Sequence, residues 1–173
     1  MTHLNKQAII FGVLLLLGSC FSACVKDGCN IPDPSITSAS SEDDYMRSFF
    51  QTNNITDLTK HPSGVYYKLN TPGSGTQGPG LCNTIFFNYY AYKFGSGVAF
   101  DSYDQPGGTG FLLGNLIIGV KKVLPLVKPG GSITMYIPPS LAYGNETIKD
   151  QSGNVILPAN SYIKFDISLV SFQ

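Results

Sequence analysis

From Gly64 to the C-terminus, apolar and polar residues alternate in short runs, and nearly every run is closed by glycine or proline. A period of two means strands that bury one face and leave the other to water. "GVYYKLN", "NTIFFNYYAYKF", "VAFDSY", "SITMYIPP" and "SYIKFDISLV" therefore read as strands, and "TPGSGTQGPG", "GSG", "DQPGGTG", "KPGG" and "LAYG" as the turns between them. In the second strand Ile85, Phe87 and Tyr89 share a face. Most of the 19 glycines and 11 prolines fall between the runs, which leaves little room for long helices. "LIIGVKKVLPLV" fits helix or strand by periodicity, but Pro125 must lie at or near an element end and "KPGG" is a stop signal, so one short helix after Gly119 is the better reading. The glycine and proline punctuation is that of an all-β or α+β domain.

The N-terminus does not belong to that pattern. A short head with Lys6 precedes "AIIFGVLLLLGSCFSAC", an apolar run too short to span a bilayer comfortably and ending in small residues, as a secretory signal does. "LGSC" and "FSAC" each resemble the lipobox of bacterial lipoproteins, in which cleavage leaves a lipid-bearing cysteine at the new N-terminus. Cys24 is preferred to Cys20, because the sequence turns polar immediately afterwards and cleavage there leaves an even pair, Cys29 and Cys82, whose pairing the spacing leaves open. The chain then lies in a bacterial cell envelope, tethered to a membrane by lipid. The organisation expected is a signal over 1–24, a Pro/Ser/Thr-rich flexible tether over 25–41, a helical pre-domain over 42–62 and the sheet domain over 63–173. In the pre-domain, Ser41 can cap a short amphipathic helix whose apolar stripe is Tyr45, Met46, Phe49 and Phe50.

Bulk chemistry excludes several functions. Eleven basic and eleven acidic residues leave no net charge and no basic stripe, which argues against nucleic acid. The two histidines, His3 and His61, lie in the signal and in a turn, and no Cys-x-x-Cys pair exists, so neither metal nor cofactor is expected.

Four stretches in order carry a resemblance over roughly residues 64–172: "YYAYKFGSGVAFDSY", "FLLGNLIIGV", "GGSITMYIPPSLAYG" and "LPANSYIKFDISLV". Together they resemble the FK506-binding-protein family of peptidyl-prolyl isomerases, and in particular its exported lipoprotein members. The resemblance implies five or six antiparallel strands wrapped round one short helix, with an apolar pocket between them. It implies that Phe100, Leu116, Ile117, Val120 and Phe165 line the well, that Leu157 adds a side wall, and that Asp101 and Tyr143 supply polar contacts. The Tyr143 hydroxyl would hold a substrate carbonyl. The aromatic from the long strand is Tyr89 or Tyr90, and alternation with Ile85 and Phe87 favours Tyr89. Partners implied are Xaa-Pro segments of unfolded or exported proteins, and a macrolide ligand.

The sequence also departs from the family. Val120 stands where the family has a pocket-floor tryptophan, "YDQPGG" offers no arginine to Asp101, Thr109 replaces an aromatic, and "NETIKDQSGNV" is longer and more polar than in compact members. Two readings follow: an envelope prolyl isomerase that assists folding, or an isomerase-like binding or chaperone module with little turnover.

Overall fold

The computed structural model describes residues 29–173; the expected signal, with Cys20 and Cys24, lies outside the described residues. The chain runs α1 (Ser40–Thr52), β1 (Thr59–Lys60), β2 (Tyr66–Thr71), β3 (Thr84–Lys93), β4 (Ala99–Tyr103), β5 (Thr109–Leu112), α2 (Ile118–Val123), β6 (Ser132–Ile137), β7 (Ile148–Lys149), β8 (Val155–Leu157) and β9 (Ile163–Phe172). The main sheet is antiparallel throughout and has seven strands in the order β1-β2-β6-β9-β3-β4, with β5 also on β3. It exceeds the five or six strands expected because β3 pairs with β5 over Thr84–Phe87 and with β4 over Tyr89–Tyr92, and because two-residue β1 adds an edge.

Alternation decides the faces. Ile163, Phe165, Ile167 and Leu169 of β9 are buried on the inner face, where they meet Ile133, Met135 and Ile137 of β6. Each such aliphatic side chain, fully buried, contributes roughly 1.5–3 kcal/mol. Helix α2 closes this face with Val120 and Val123 and includes Gly119 rather than starting after it. A Cβ on Gly119 would stand 2.5 Å from Ile137 Cγ2, so glycine here sets how closely α2 lies on β6. Pro125 falls in a 3-10 turn, Leu124–Leu126, that ends the helical stretch. The polar stretch after "AYG" folds as the β7–β8 hairpin, with Asp150 accepting from the Ser152 and Asn154 N–H groups across its turn.

Helix α1 packs on the other face of the sheet. Met46 and Phe50 are buried in a second cluster with Tyr66 of β2 and Tyr136 of β6, while Tyr45 remains half exposed. The cap differs from expectation: Ala39 is the N-cap and Ser41 lies inside the helix. Glu42 in the first turn accepts the Ala39 N–H at 3.1 Å, so this end is satisfied from the glutamate side without a hydroxyl at the cap. Asp43, buried beneath the helix, accepts the Tyr66 hydroxyl at 2.8 Å and pairs with Lys60 at 2.7 Å, joining α1 to β1 and β2.

The segment expected to be a flexible tether is held to the domain over its described part. Cys29 and Cys82 form a disulfide with Cα atoms 5.7 Å apart. Asp33 pairs with Lys122 of α2 at 2.7 Å, and the Ser38 N–H donates to the Ser63 carbonyl at 2.9 Å. Ile31 lies so close over Gly114 that a Cβ there would collide with it. Composition suggested a free linker, yet a covalent bond and a few specific contacts hold it in place.

Candidate active site

A cavity of about 190 Å³ opens on the inner face where β3, β4 and β9 meet the start of α2. Alternation along β3 sends Phe87 and Tyr89 into it, and β9 contributes Phe165 and Ile167 from beside them. The opposite side is Leu116, Ile117 and Val120, the last only 3% exposed. Aromatic rings form a continuous wall: Phe87 lies 5.5 Å from Tyr89 and 6.1 Å from Phe111, and Tyr89 lies 6.0 Å from Phe165, centroid to centroid.

Polar groups are few and sit on one side. The Tyr89 hydroxyl donates to Asp101 Oδ2 at 2.9 Å. Burial first, and then that hydrogen bond, push the Tyr89 phenol up to about 12. Tyr143 is also pushed up, by burial and then by the charge of Asp101. Both tyrosines are therefore neutral donors near pH 7. Asp101 already engages Tyr89, whereas the Tyr143 hydroxyl has no hydrogen-bond partner among the described residues and is free to take one.

The Tyr143 turn is held in place by backbone bonds. After β6, a 3-10 turn over Pro139–Leu141 delivers Ala142 and Tyr143, and Gly144 adopts φ +58°. The Gly144 N–H donates to the Pro139 carbonyl at 2.8 Å, and the Gly144 carbonyl accepts from the Asn160 N–H at 2.7 Å. A glycine at 144 thus reverses the chain without the cost of a left-handed side-chain residue.

Of the residues implied by the sequence, Tyr89, Asp101, Leu116, Ile117, Val120, Tyr143 and Phe165 come together in this cavity. Tyr90 does not: it points to the other face and donates to Asp104 at 2.6 Å. Leu157 is absent from the lining and lies fully buried in the core cluster that also holds Val120 and Phe165. Phe100 is partly buried against the core and absent from the lining; it is the residue skipped at the β4 bulge, where Ala91 pairs with Asp101 and Tyr92 with Ala99. Three lining residues were not anticipated: Phe87, Phe111 and Ile167. Alternation with Tyr89 and with Phe165 was enough to find the first and the last. Phe111 depends on β5 pairing with β3, where it sits opposite Ile85, and that register has no sequence signal. Among the described residues no group of three His, Cys, Asp or Glu side chains could hold a metal ion.

An aromatic well over an antiparallel sheet, with one short helix as its far wall, defines the class. Residues 77–170 match the family model for FKBP-type peptidyl-prolyl cis-trans isomerases, and the chain belongs to that family. It is 33% identical over 127 residues to the FKBP-type peptidyl-prolyl cis-trans isomerase FkpA of Buchnera aphidicola, covering 73% of this chain and 48% of that one. It is 31% identical over 112 residues to the peptidyl-prolyl cis-trans isomerase Mip of Coxiella burnetii, covering 64% and 46%. The chain thus spans about half the length of these curated relatives. Among solved structures, FkpA from Escherichia coli superposes with a TM-score of 0.62 at 26% identity, over 78% of this chain and 61% of that one. AtFKBP13 superposes with a TM-score of 0.59 at 26% identity, over 68% and 100%.

Proposed function

We propose that this protein is an exported, lipid-anchored prolyl isomerase that accelerates cis-trans exchange at Xaa-Pro bonds of proteins folding in a bacterial cell envelope. The observation that carries the reading is the apolar cavity with one free phenolic donor, Tyr143, at its polar side. Prolyl isomerisation makes and breaks no covalent bond. Its barrier, about 18–20 kcal/mol, is the loss of amide resonance on twisting, and uncatalysed exchange takes tens of seconds or more. A catalyst needs only to prefer the twisted amide to the planar one. The twisted amide is less polar, so a water-poor well lined by Phe87, Phe165, Leu116 and Ile117 favours it, while the aromatic wall grips the pyrrolidine ring. Tyr143 donates to a substrate carbonyl, and Tyr89, locked to Asp101, fixes the wall beside it. A macrolide with a proline-like ring would occupy the same well.

Envelope location is supported by the Cys29–Cys82 disulfide, which persists in oxidising compartments. That pairing also favours Cys24 over Cys20 as the lipid site, since cleavage before Cys20 would leave Cys24 as an odd thiol. One observation favours a second reading, a binding or chaperone module with little turnover: Val120 gives the well a small aliphatic floor instead of a broad aromatic one. A turnover assay on a chromogenic Xaa-Pro peptide, run beside titration of a macrolide, separates them. Turnover above the spontaneous rate supports the enzyme; binding without turnover supports the module.

A further inference from the structure

We propose that Glu42, on the helix preceding the isomerase domain, is a positioning residue for Tyr143. This rests on the reading of the cavity as an isomerase site. Glu42 lies in the first turn of α1, on the face of the sheet opposite the cavity, and is 98 residues from its partner Ser140. Its Oε1 accepts the Ser140 N–H at 2.9 Å and its Oε2 accepts the Ser140 hydroxyl at 2.6 Å. Ser140 belongs to the 3-10 turn that delivers Tyr143. A carboxylate accepting two donors from one residue makes charge-assisted bonds, shorter and stronger than neutral ones, and the two together fix direction as well as distance.

The far side of the turn is held through the same helix. Gly144 is bonded to the N–H of Asn160, and two residues on, Tyr162 packs at a tilt against Tyr45 of α1, 4.4 Å between centroids. The turn carrying Tyr143 is therefore gripped at Ser140 by Glu42 directly, and beyond Gly144 by a segment packed on the next turn of α1. Ser140 itself is exposed between the buried Pro139 and Leu141, and the Glu42 carboxylate is what fixes this exposed residue of the turn. Catalysis by a positioned donor is sensitive to displacements of about 1 Å. A helix that reads from sequence as an appendage thus forms part of the site's support.

The test uses the mature chain and three variants: Glu42→Ala, Glu42→Gln and Ser140→Ala. Ser140→Ala removes one bond of the brace and leaves the α1 cap, which Glu42 makes with Ala39, untouched. Two readouts are taken: amide hydrogen exchange over residues 139–146, which needs no turnover, and kcat/KM on an Xaa-Pro peptide, alone and combined with Tyr143→Phe. Glu42→Ala should speed exchange in 139–146 by about tenfold and lower kcat/KM by a few-fold to tenfold. Glu42→Gln, which keeps one acceptor, and Ser140→Ala should each give a smaller change in the same direction. In the Tyr143→Phe background, Glu42→Ala should have little further effect on kcat/KM, because it acts through the missing hydroxyl. A purely structural role would give additive losses in that cycle, and that result would overturn the proposal. Unchanged exchange over 139–146 in Glu42→Ala would also overturn it, whether or not the wild type turns over. A wild type without turnover but with faster exchange in Glu42→Ala would retire the isomerase reading and leave the brace standing.

Discussion

The floor of the well gives the sharpest quantitative prediction. Val120 is 3% exposed on α2 and looks into a cavity of about 190 Å³ bounded across from it by Tyr89 and Phe165. Val120→Trp replaces an isopropyl group with an indole at that point. If the indole lies flat beneath a bound ring, it adds on the order of 100 Å² of apolar contact. At about 25 cal/mol per Å² this amounts to roughly 2.5 kcal/mol. Leu116 and Ile117 flank the same space and take part of that contact, so about half of it, some tenfold in Kd, should reach the ligand. Turnover should rise as well to the extent that the new surface prefers the twisted amide. The assay is a macrolide dissociation constant and a melting temperature, each on wild type and mutant. If the core around α2, where Gly119 already touches Ile137, has no room for the larger side chain, the substitution costs about 1–3 kcal/mol of stability with no gain in affinity. A destabilised mutant with unchanged Kd would refute the argument that Val120 lies beneath a ring-sized well, and would favour the binding-module reading.

Further predictions concern the supports of the site. Burial alone would raise Asp43, but hydrogen bonds from Lys60 and Tyr66 and the charges of Lys60 and Arg47 outweigh it, holding the carboxyl below its usual value. Because the folded pKa lies below the unfolded one, near 3.9, this stability is present above about pH 4 and is lost as pH falls through the folded value; thermal melts of wild type and Asp43→Asn from pH 6 to pH 2 should converge at the acid end. Reducing Cys29–Cys82, which closes 53 residues of sequence separation, should lower stability by about 4 kcal/mol in denaturant titration with and without reductant. Cys24→Ala should move the protein from the membrane fraction to the soluble fraction without unfolding it; retention of Cys24→Ala together with release of Cys20→Ala would make Cys20 the anchor.

The inner face of the sheet was legible because alternation has a single meaning when one face is buried. Ile85, Phe87 and Tyr89 share that face, while Asp101, Tyr143 and Phe165 were placed there only by the family resemblance that "AFDSY", "LAYG" and "IKFDISLV" carry. What alternation cannot express is a sheet that is apolar on both sides. Tyr66 and Tyr136 occupy outward positions and are buried all the same, because α1 covers them with Met46 and Phe50. The helix itself was readable from the spacing of its stripe, but its docking place depends on aromatics spread over three parts of the chain, Tyr66, Phe94 and Tyr136. Leu157 is absent from the lining for a related reason: β8 leaves the main sheet for its own hairpin, so its alternation refers to a different surface. The cap read from the sequence was Ser41; the capping role of Glu42 and its bonds to Ser140 emerge only in the folded structure.

The central claim is that this cavity turns over prolyl amides through a phenolic donor at its mouth, and kcat/KM for a chromogenic Xaa-Pro peptide with wild type and Tyr143→Phe tests it most directly. The substitution removes one hydroxyl that has no hydrogen-bond partner among the described residues, so folding should be untouched. The account predicts measurable turnover in the wild type and a fall of about tenfold, or ~1.4 kcal/mol of transition-state stabilisation, in the mutant at an unchanged melting temperature. Equal turnover in the two proteins, or none above the spontaneous rate in either, would contradict it.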